Sequence, residues 1–205
     1  MAHFPVFIDI KEKKCLIIGG GKVAFRKVET LLRYGADVRV IAREICDEIR
    51  DLLPEEAVRV GLPEEADIRD CVLVIAATAS REVNHRFAQM CHSQDILVNV
   101  IDAPEECSFI FPAVVVKGDI SIGINTGAKS PLVSKKIRQN IEKAVPDYYG
   151  EIADQLGELR EYVKARFSRE ADRRRILKEA AARAFGERRI LSKEEINTII
   201  RQDEV

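Results

Sequence analysis

Lys14-Cys15-Leu16-Ile17-Ile18-Gly19-Gly20-Gly21-Lys22-Val23-Ala24 holds the strongest structural signal in this 205-residue chain. One lysine followed by four apolar residues is the pattern of a strand buried on both faces. Gly19, Gly21 and Ala24 then match G-x-G-x-x-A, and residues 23–33 read as a helix. In that order, strand, glycine turn and helix form the phosphate-binding corner of a dinucleotide-binding fold. Gly19 permits the tight turn, Gly21 lets backbone approach a pyrophosphate, and Ala24 allows the helix to lie close on the sheet. Phosphates then meet the free N–H groups of the helix N-terminus. The competing reading is a glycine-rich turn without a ligand.

Outward from this corner, the pattern repeats. Strands are expected at residues 37–41, 57–60, 72–76 and 96–100, with helices over 44–53 and from the Ser80 cap to about His92. Continuous apolar strands alternating with helices predict an α/β fold, a Rossmann-type doubly wound parallel sheet covered on both faces. After Pro104 the rhythm changes. Apolar runs at 109–116 and 120–124 flank Lys117-Gly118-Asp119, read as a hairpin with a three-residue connection. A helix over 132–145 follows, capped by Ser130 with Pro131 at its first position and ended by Pro146. The chain is helical beyond Asp147, where Ile152, Leu156, Leu159 and Val163 make an apolar stripe, and Ser192 with Glu195 forms a capping box for a last short helix. The expected division is a dinucleotide-binding domain over 1–112, a small central α+β unit over 113–146 and a helical domain over 147–205.

Lys and Arg number 33 against 34 Asp and Glu, a net charge of −1. No global basic field therefore argues for nucleic acid or an anionic membrane surface. Residues 160–189 hold 11 basic and five acidic residues, either a solvated helix face or a wall facing a polyanion. No signal peptide and no stretch of about 18 apolar residues is visible, so a soluble cytoplasmic protein is expected. Five cysteines, odd in number and without CxxC spacing, argue against a disulfide framework and a structural zinc site; most read as small buried residues. His3, His85 and His92 make no metal-ligand pattern, the last two falling on one helix face, and no metal site is expected.

The acidic residue that usually meets the ribose after the second strand is missing, since Arg39-Val40-Ile41-Ala42-Arg43 supplies none. Either Arg43 contacts a 2′-phosphate and favours NADP, or it is merely exposed while backbone groups hold NAD. Thr78, after Ala76-Ala77, either bonds a ribose or phosphate oxygen or only helps to start the helix at Ser80. Asp102 leaves the last strand where a nicotinamide is expected and is a candidate general base; alternatively it closes a turn before Pro104. Thr126-Gly127-Ala128-Lys129-Ser130-Pro131 either offers amides, with Lys129 and Lys135, to a carboxylate or is an ordinary capped turn.

Several segments stand together in one order: Pro5-Val6-Phe7, the glycine turn with Arg26-Lys27, Ile75-Ala76-Ala77-Thr78 with Val83-Asn84, Asn99-Val100-Ile101-Asp102-Ala103-Pro104, Ser108-Phe109-Ile110-Phe111-Pro112 and the Thr126 turn. In these the chain resembles the precorrin-2 dehydrogenase family, which includes a module of sirohaem synthase. The resemblance implies NAD-dependent oxidation of precorrin-2, a polycarboxylate tetrapyrrole, to sirohydrochlorin. It implies a homodimer whose central unit dimerises and lines the substrate cleft. It makes Asp102 the catalytic residue and assigns the dinucleotide to Gly19, Gly21, Lys22, Val23, Arg43, Glu44 and Thr78. Thr126, Gly127, Lys129 and Ser130 would meet the substrate, Thr126 standing where serine is usual. Some relatives also insert ferrous iron into sirohydrochlorin, so a ferrochelatase activity is an open expectation; uroporphyrinogen methylation is expected to lie elsewhere. A different class of reading is an NAD(H)-sensing regulatory module with a helical partner-binding tail.

Overall fold

A computed structural model describes residues 3–127 and 129–201. The chain divides into two compact units, Met1–Phe111 and Pro112–Val205.

The first unit is built on five parallel strands, β1 (Lys14–Ile18), β2 (Asp37–Ala42), β3 (Val58–Val60), β4 (Leu73–Ala76) and β5 (Leu97–Val100). Their spatial order is β3-β2-β1-β4-β5. The chain winds outward from β1 to β3 and then returns to the other side of β1. The direction of winding reverses between β1 and β4, and in open parallel sheets the crevice for a ligand lies at the carboxyl ends of such a strand pair. Helices α1 (Lys22–Arg33), α2 (Asp47–Leu52) and α3 (Arg81–Ser93) complete the layers. β1 shows why both faces must be covered: Cys15 and Ile17 pack in one cluster with Ala24, Val28 and Leu31 of α1 and Ile49 of α2. Leu16 and Ile18 pack in the other with Phe87, Ala88 and Cys91 of α3. Fully burying each large apolar side chain contributes roughly 1.5–3 kcal/mol. The sheet class read from the sequence is the one observed.

Two boundaries differ from expectation, each for a local reason. α2 begins at Asp47 because the Cys46 N–H donates to the Gly20 carbonyl at 2.9 Å, which holds residues 43–46 against the glycine turn. Residues 109–112, expected to open the hairpin, precede its first strand, and residues 107–109 are held elsewhere. They lie along β5, where the Ser108 N–H donates to the Val98 carbonyl (2.9 Å) and Ser108 Oγ accepts from the Val98 N–H (2.7 Å).

In the second unit, β6 (Ala113–Lys117) and β7 (Ile120–Ile124) form an antiparallel hairpin. Lys117 pairs with Ile120, so the connection is Gly118-Asp119, two residues and not three. Gly118 at φ +55° suits the left-handed first position of a tight hairpin turn. Helices α4 (Pro131–Ala144), α5 (Tyr148–Arg166), α6 (Glu170–Glu187) and α7 (Lys193–Arg201) follow. α5 starts against the hairpin, where a Cβ on Gly150 would stand 2.7 Å from the Lys117 carbonyl. Ile152, Leu159 and Val163 of α5 pack with Ile176, Ala180 and Ala184 of α6 and Ile199 and Ile200 of α7. The capping box is formed in both directions: the Ser192 N–H donates to Glu195 (2.7 Å) and the Glu195 N–H to Ser192 Oγ (3.2 Å). Much of the basic excess is paired on the helix surfaces, as in Arg175–Glu179, Arg183–Glu187 and Arg189–Glu195. Among the described residues no helix is long and apolar enough to cross a membrane.

Candidate active site

The glycine corner is fixed from two sides. Gly19, at φ +135°, donates its N–H to the Ile41 carbonyl at 2.9 Å, and a Cβ there would stand 2.3 Å from the Ala77 carbonyl oxygen. The Ala77 N–H in turn donates to the Ile18 carbonyl at 2.7 Å. The turn, the end of β2 and the end of β4 are thus knitted together at the carboxyl edge of the sheet. Gly20, which the motif leaves free, is as constrained as Gly19: a Cβ would meet the Glu44 carbonyl oxygen at 2.1 Å. Gly21 is the opposite case, with nothing within 4 Å of its added Cβ. The open side lies where backbone must approach a phosphate. No side chain caps α1 and no acidic residue stands in its first turn, so its leading N–H groups and positive dipole end face outward unneutralised. Ala24 is buried against the sheet, while Lys22 and Val23 are exposed at the mouth of the turn. This fits a dinucleotide pyrophosphate without further adjustment.

The other expected cofactor contacts are mixed. Arg43 and Glu44 are exposed after β2, and among the described residues neither side chain forms an ion pair. Thr78 is engaged locally. Its hydroxyl lies 2.7 Å from Asn84 Oδ1 and 3.1 Å from the Ser80 carbonyl and accepts from the Ser80 N–H, while Asn84 Nδ2 donates to the Thr78 carbonyl at 3.0 Å. These bonds serve the start of the helix at Ser80, with buried Asn84 as the residue that sequence reasoning left unassigned. The signal was its place in the Val83-Asn84 segment.

Asp102 follows β5 after the Ile101 N–H has donated to the Ala76 carbonyl at 3.0 Å. It is exposed and holds the left-handed conformation, φ +59°, which aspartate tolerates better than most residues. Among the described residues its carboxylate has no hydrogen-bond partner, so it is not spent on closing the turn. The turn is closed from below. Cys107 Sγ lies 3.1 Å from the Val100 N–H, 3.3 Å from the Val100 carbonyl and 3.4 Å from the Ala103 carbonyl. Buried Asn99 donates to the Phe109 carbonyl at 3.1 Å. Burial raises the Cys107 thiol above its ordinary range, which suits a structural thiol; nothing in its spacing signalled that role. His85 and His92 both reach the same loop from α3, His85 Nδ1 at 3.2 Å from the Glu106 carboxylate and His92 Nε2 at 3.0 Å from the Glu106 carbonyl. His92 thereby braces the Asp102 turn while His85 only stands beside Glu106, and no group of three or more metal-ligating side chains occurs among the described residues.

Beside this loop stands Lys27 of α1. Its ammonium lies 3.6 Å over the centroid of the Phe111 ring, and burial pulls its pKa down to about 8.

In the second unit the Thr126 turn is internally bonded. The Gly127 N–H donates to Asn125 Oδ1 (2.8 Å), the Lys129 N–H to the Thr126 carbonyl (3.2 Å) and the Thr126 hydroxyl to the Ser130 carbonyl (3.2 Å). Ser130 Oγ accepts from the Val133 N–H at 3.3 Å as the α4 cap. The amides of Gly127 and Lys129 are therefore occupied and not free for a carboxylate; Ala128 lies outside the described residues. Lys129 and Lys135 are exposed.

A family model described as "Putative NAD(P)-binding" matches residues 6–113. The siroheme synthase of Nitrosospira multiformis is 38% identical over 193 residues, 91% of this chain and 41% of that protein. That of Thioalkalivibrio sulfidiphilus is 39% identical over 85% of this chain and 36% of its own length. The chain thus spans about two fifths of the curated relatives it matches. Among solved structures, SirC, a precorrin-2 dehydrogenase, has the same fold with a TM-score of 0.79 at 24% identity, covering 98% of this chain and 99% of that one.

Proposed function

This chain belongs to the NAD(P)-binding family whose model spans residues 6–113, and from that membership taken with its siroheme synthase relatives we propose that it oxidises precorrin-2 to sirohydrochlorin with NAD. The observation that carries the reading is Asp102, an exposed carboxylate without a hydrogen-bond partner among the described residues, held in a braced turn beside the strand ends that form the glycine corner. The siroheme synthase relatives supply the substrate class.

NAD supplies the hydride acceptor. Gly19 and Gly21 shape the phosphate corner, and the N–H groups of Lys22 and Val23 at the start of α1 would hold the pyrophosphate charge. Arg43 and Glu44, exposed after β2, would supply polar groups to the ribose, with Thr78 ordering the neighbouring edge. Oxidation removes one hydride and one proton from the macrocycle, and Asp102 accepts the proton at its carboxylate. In the second unit, within a central part over 113–146 that also serves dimerisation, the turn of Thr126, Gly127, Lys129 and Ser130 offers substrate its exposed Lys129 side chain, its Gly127 and Lys129 amides being occupied. The working form is a homodimer in the cytoplasm.

Mixing the protein with NAD and precorrin-2 generated without oxygen is expected to yield NADH and sirohydrochlorin together. Asp102→Ala should lower turnover by about 10²-fold or more while NAD affinity stays within about twofold, because the carboxylate acts on the substrate. Absence of NADH in the wild type would overturn the reading, and equal turnover in the variant would remove Asp102 from it. Titration with NAD and NADP side by side decides the role of Arg43. Insertion of ferrous iron into purified sirohydrochlorin is a separate activity. A rate above the protein-free control would assign it to this chain.

A further inference from the structure

Lys27 has a use that the glycine corner and Asp102 do not explain. It lies in the second turn of α1, whose Ala24 and Val28 are buried, and its ammonium sits over the Phe111 ring with Phe109 beside it, ring centroids 6.3 Å apart. Among the described residues the ammonium has neither a hydrogen-bond acceptor nor a carboxylate within reach. The one ionisable group felt from the facing loop is Cys107, whose thiol burial keeps protonated. A lysine so placed carries its charge against the preference of its surroundings, as its fall from 10.5 to about 8 records. The ring offsets part of that cost but satisfies none of its three N–H donors. Its Nζ is not among the sealed, unsatisfied atoms, so it keeps contact with solvent.

We propose that Lys27, held over the Phe111 ring, is an anchor for a carboxylate of the ligand, taking one acidic side arm of a polycarboxylate macrocycle. The site stays within the first unit. Cys107, the neighbour that Lys27 feels, touches the Ala103 carbonyl next to Asp102, so the anchor on α1 faces the loop that carries the proposed base. A macrocycle with carboxylates round its rim meets a fixed cation at its edge while its reacting carbon faces the base. Chemically, a bound carboxylate supplies the charge-assisted hydrogen bonds that the ammonium lacks. The inference rests on the tetrapyrrole reading given above.

It makes a prediction that a merely structural lysine would reverse. A side chain that stabilises the fold leaves it weaker when replaced; an uncompensated charge kept for a ligand leaves it stronger. In the full chain, Lys27→Met is expected to move the urea midpoint upward, to weaken binding of uroporphyrin, a stable octacarboxylate macrocycle, about tenfold, and to leave NAD affinity unchanged. Lys27→Arg, which keeps charge and ring stacking, should bind uroporphyrin within about threefold of wild type. Binding is read by quenching of porphyrin fluorescence and needs no turnover. Wild-type-like porphyrin binding by Lys27→Met, or a lowered urea midpoint, would overturn the anchor and leave the dehydrogenase reading intact. Failure of the wild-type protein to bind the porphyrin would remove the tetrapyrrole reading and the anchor together.

Discussion

Gly20 and Gly21 are neighbours with opposite jobs, and the difference is measurable. An added Cβ at Gly20 meets the Glu44 carbonyl oxygen at 2.1 Å and the Ile45 Cα at 2.8 Å. Both are backbone atoms of a loop tied to Gly20 by the Cys46 hydrogen bond, so the clash is relieved only by moving that loop. Gly20→Ala is expected to cost about 2–3 kcal/mol of stability. At Gly21 the backbone is extended, φ −91° and ψ −173°, and the space beside it is open. Gly21→Ala should leave stability within about 0.5 kcal/mol of wild type yet weaken NAD binding about tenfold or more, because a methyl then stands where the pyrophosphate approaches. Urea denaturation and NAD titration of both variants test the pair; unchanged NAD affinity in Gly21→Ala would detach the open side from the cofactor. The G-x-G-x-x-A spacing made Gly19, Gly21 and Ala24 legible in the sequence because each role is local. Gly20 was not legible, since its partner lies 24 residues on and only the fold brings the two together. Thr78 was ambiguous for the same reason: the Asn84 side chain that engages it belongs to the next helix.

At the scale of elements, α7 depends on its first turn. Glu195 accepts from the Ser192 N–H and receives Arg183 and Arg189. Pairing with Arg189 first, and the Ser192 hydrogen bond second, pull its pKa from 4.5 to about 2. A carboxylate whose folded pKa is depressed stabilises the fold above its unfolded value and loses that contribution as pH falls through the folded one. Glu195→Gln should therefore unfold more readily than wild type at pH 6, with the gap closing between pH about 4.5 and about 2. Thermal unfolding of both proteins across that range checks the sign; a gap that persists at the acid end would place the Glu195 contribution in packing. The capping box made this helix readable, because Ser192 and Glu195 are close in sequence. The hairpin was harder. Apolar residues 109–116 look like one strand, yet Ser108 is drawn to Val98 of β5 and pairing with β7 starts only at Ala113. Residue-by-residue apolarity cannot choose between two sheets.

For the whole molecule the open question is what completes the hairpin and α4. A two-stranded hairpin is marginal in water by itself, and α4 has no buried residue along its 14 positions. Leu132, Val133 and Ile137 are 79%, 49% and 38% exposed, whereas the sheet of the first unit and the α5–α7 cluster each have a buried core of their own. Apolar side chains left open on an element with so little core argue for a second copy of the chain as the missing layer, the same surface patch serving both subunits. The protein is expected to sediment as a dimer at micromolar concentration. Leu132→Asp with Ile137→Asp should shift it toward monomer and lower its thermal midpoint, since a dimer that supplies core stabilises its subunits by mass action. NAD binding should survive in that variant, because the glycine corner, α1 and the Asp102 loop all belong to the first unit. Turnover need not survive, since the Thr126 turn stands at the foot of α4. Sedimentation of the wild type as a monomer across that range would leave the exposed face of α4 to some other partner and remove the homodimer from the proposed function.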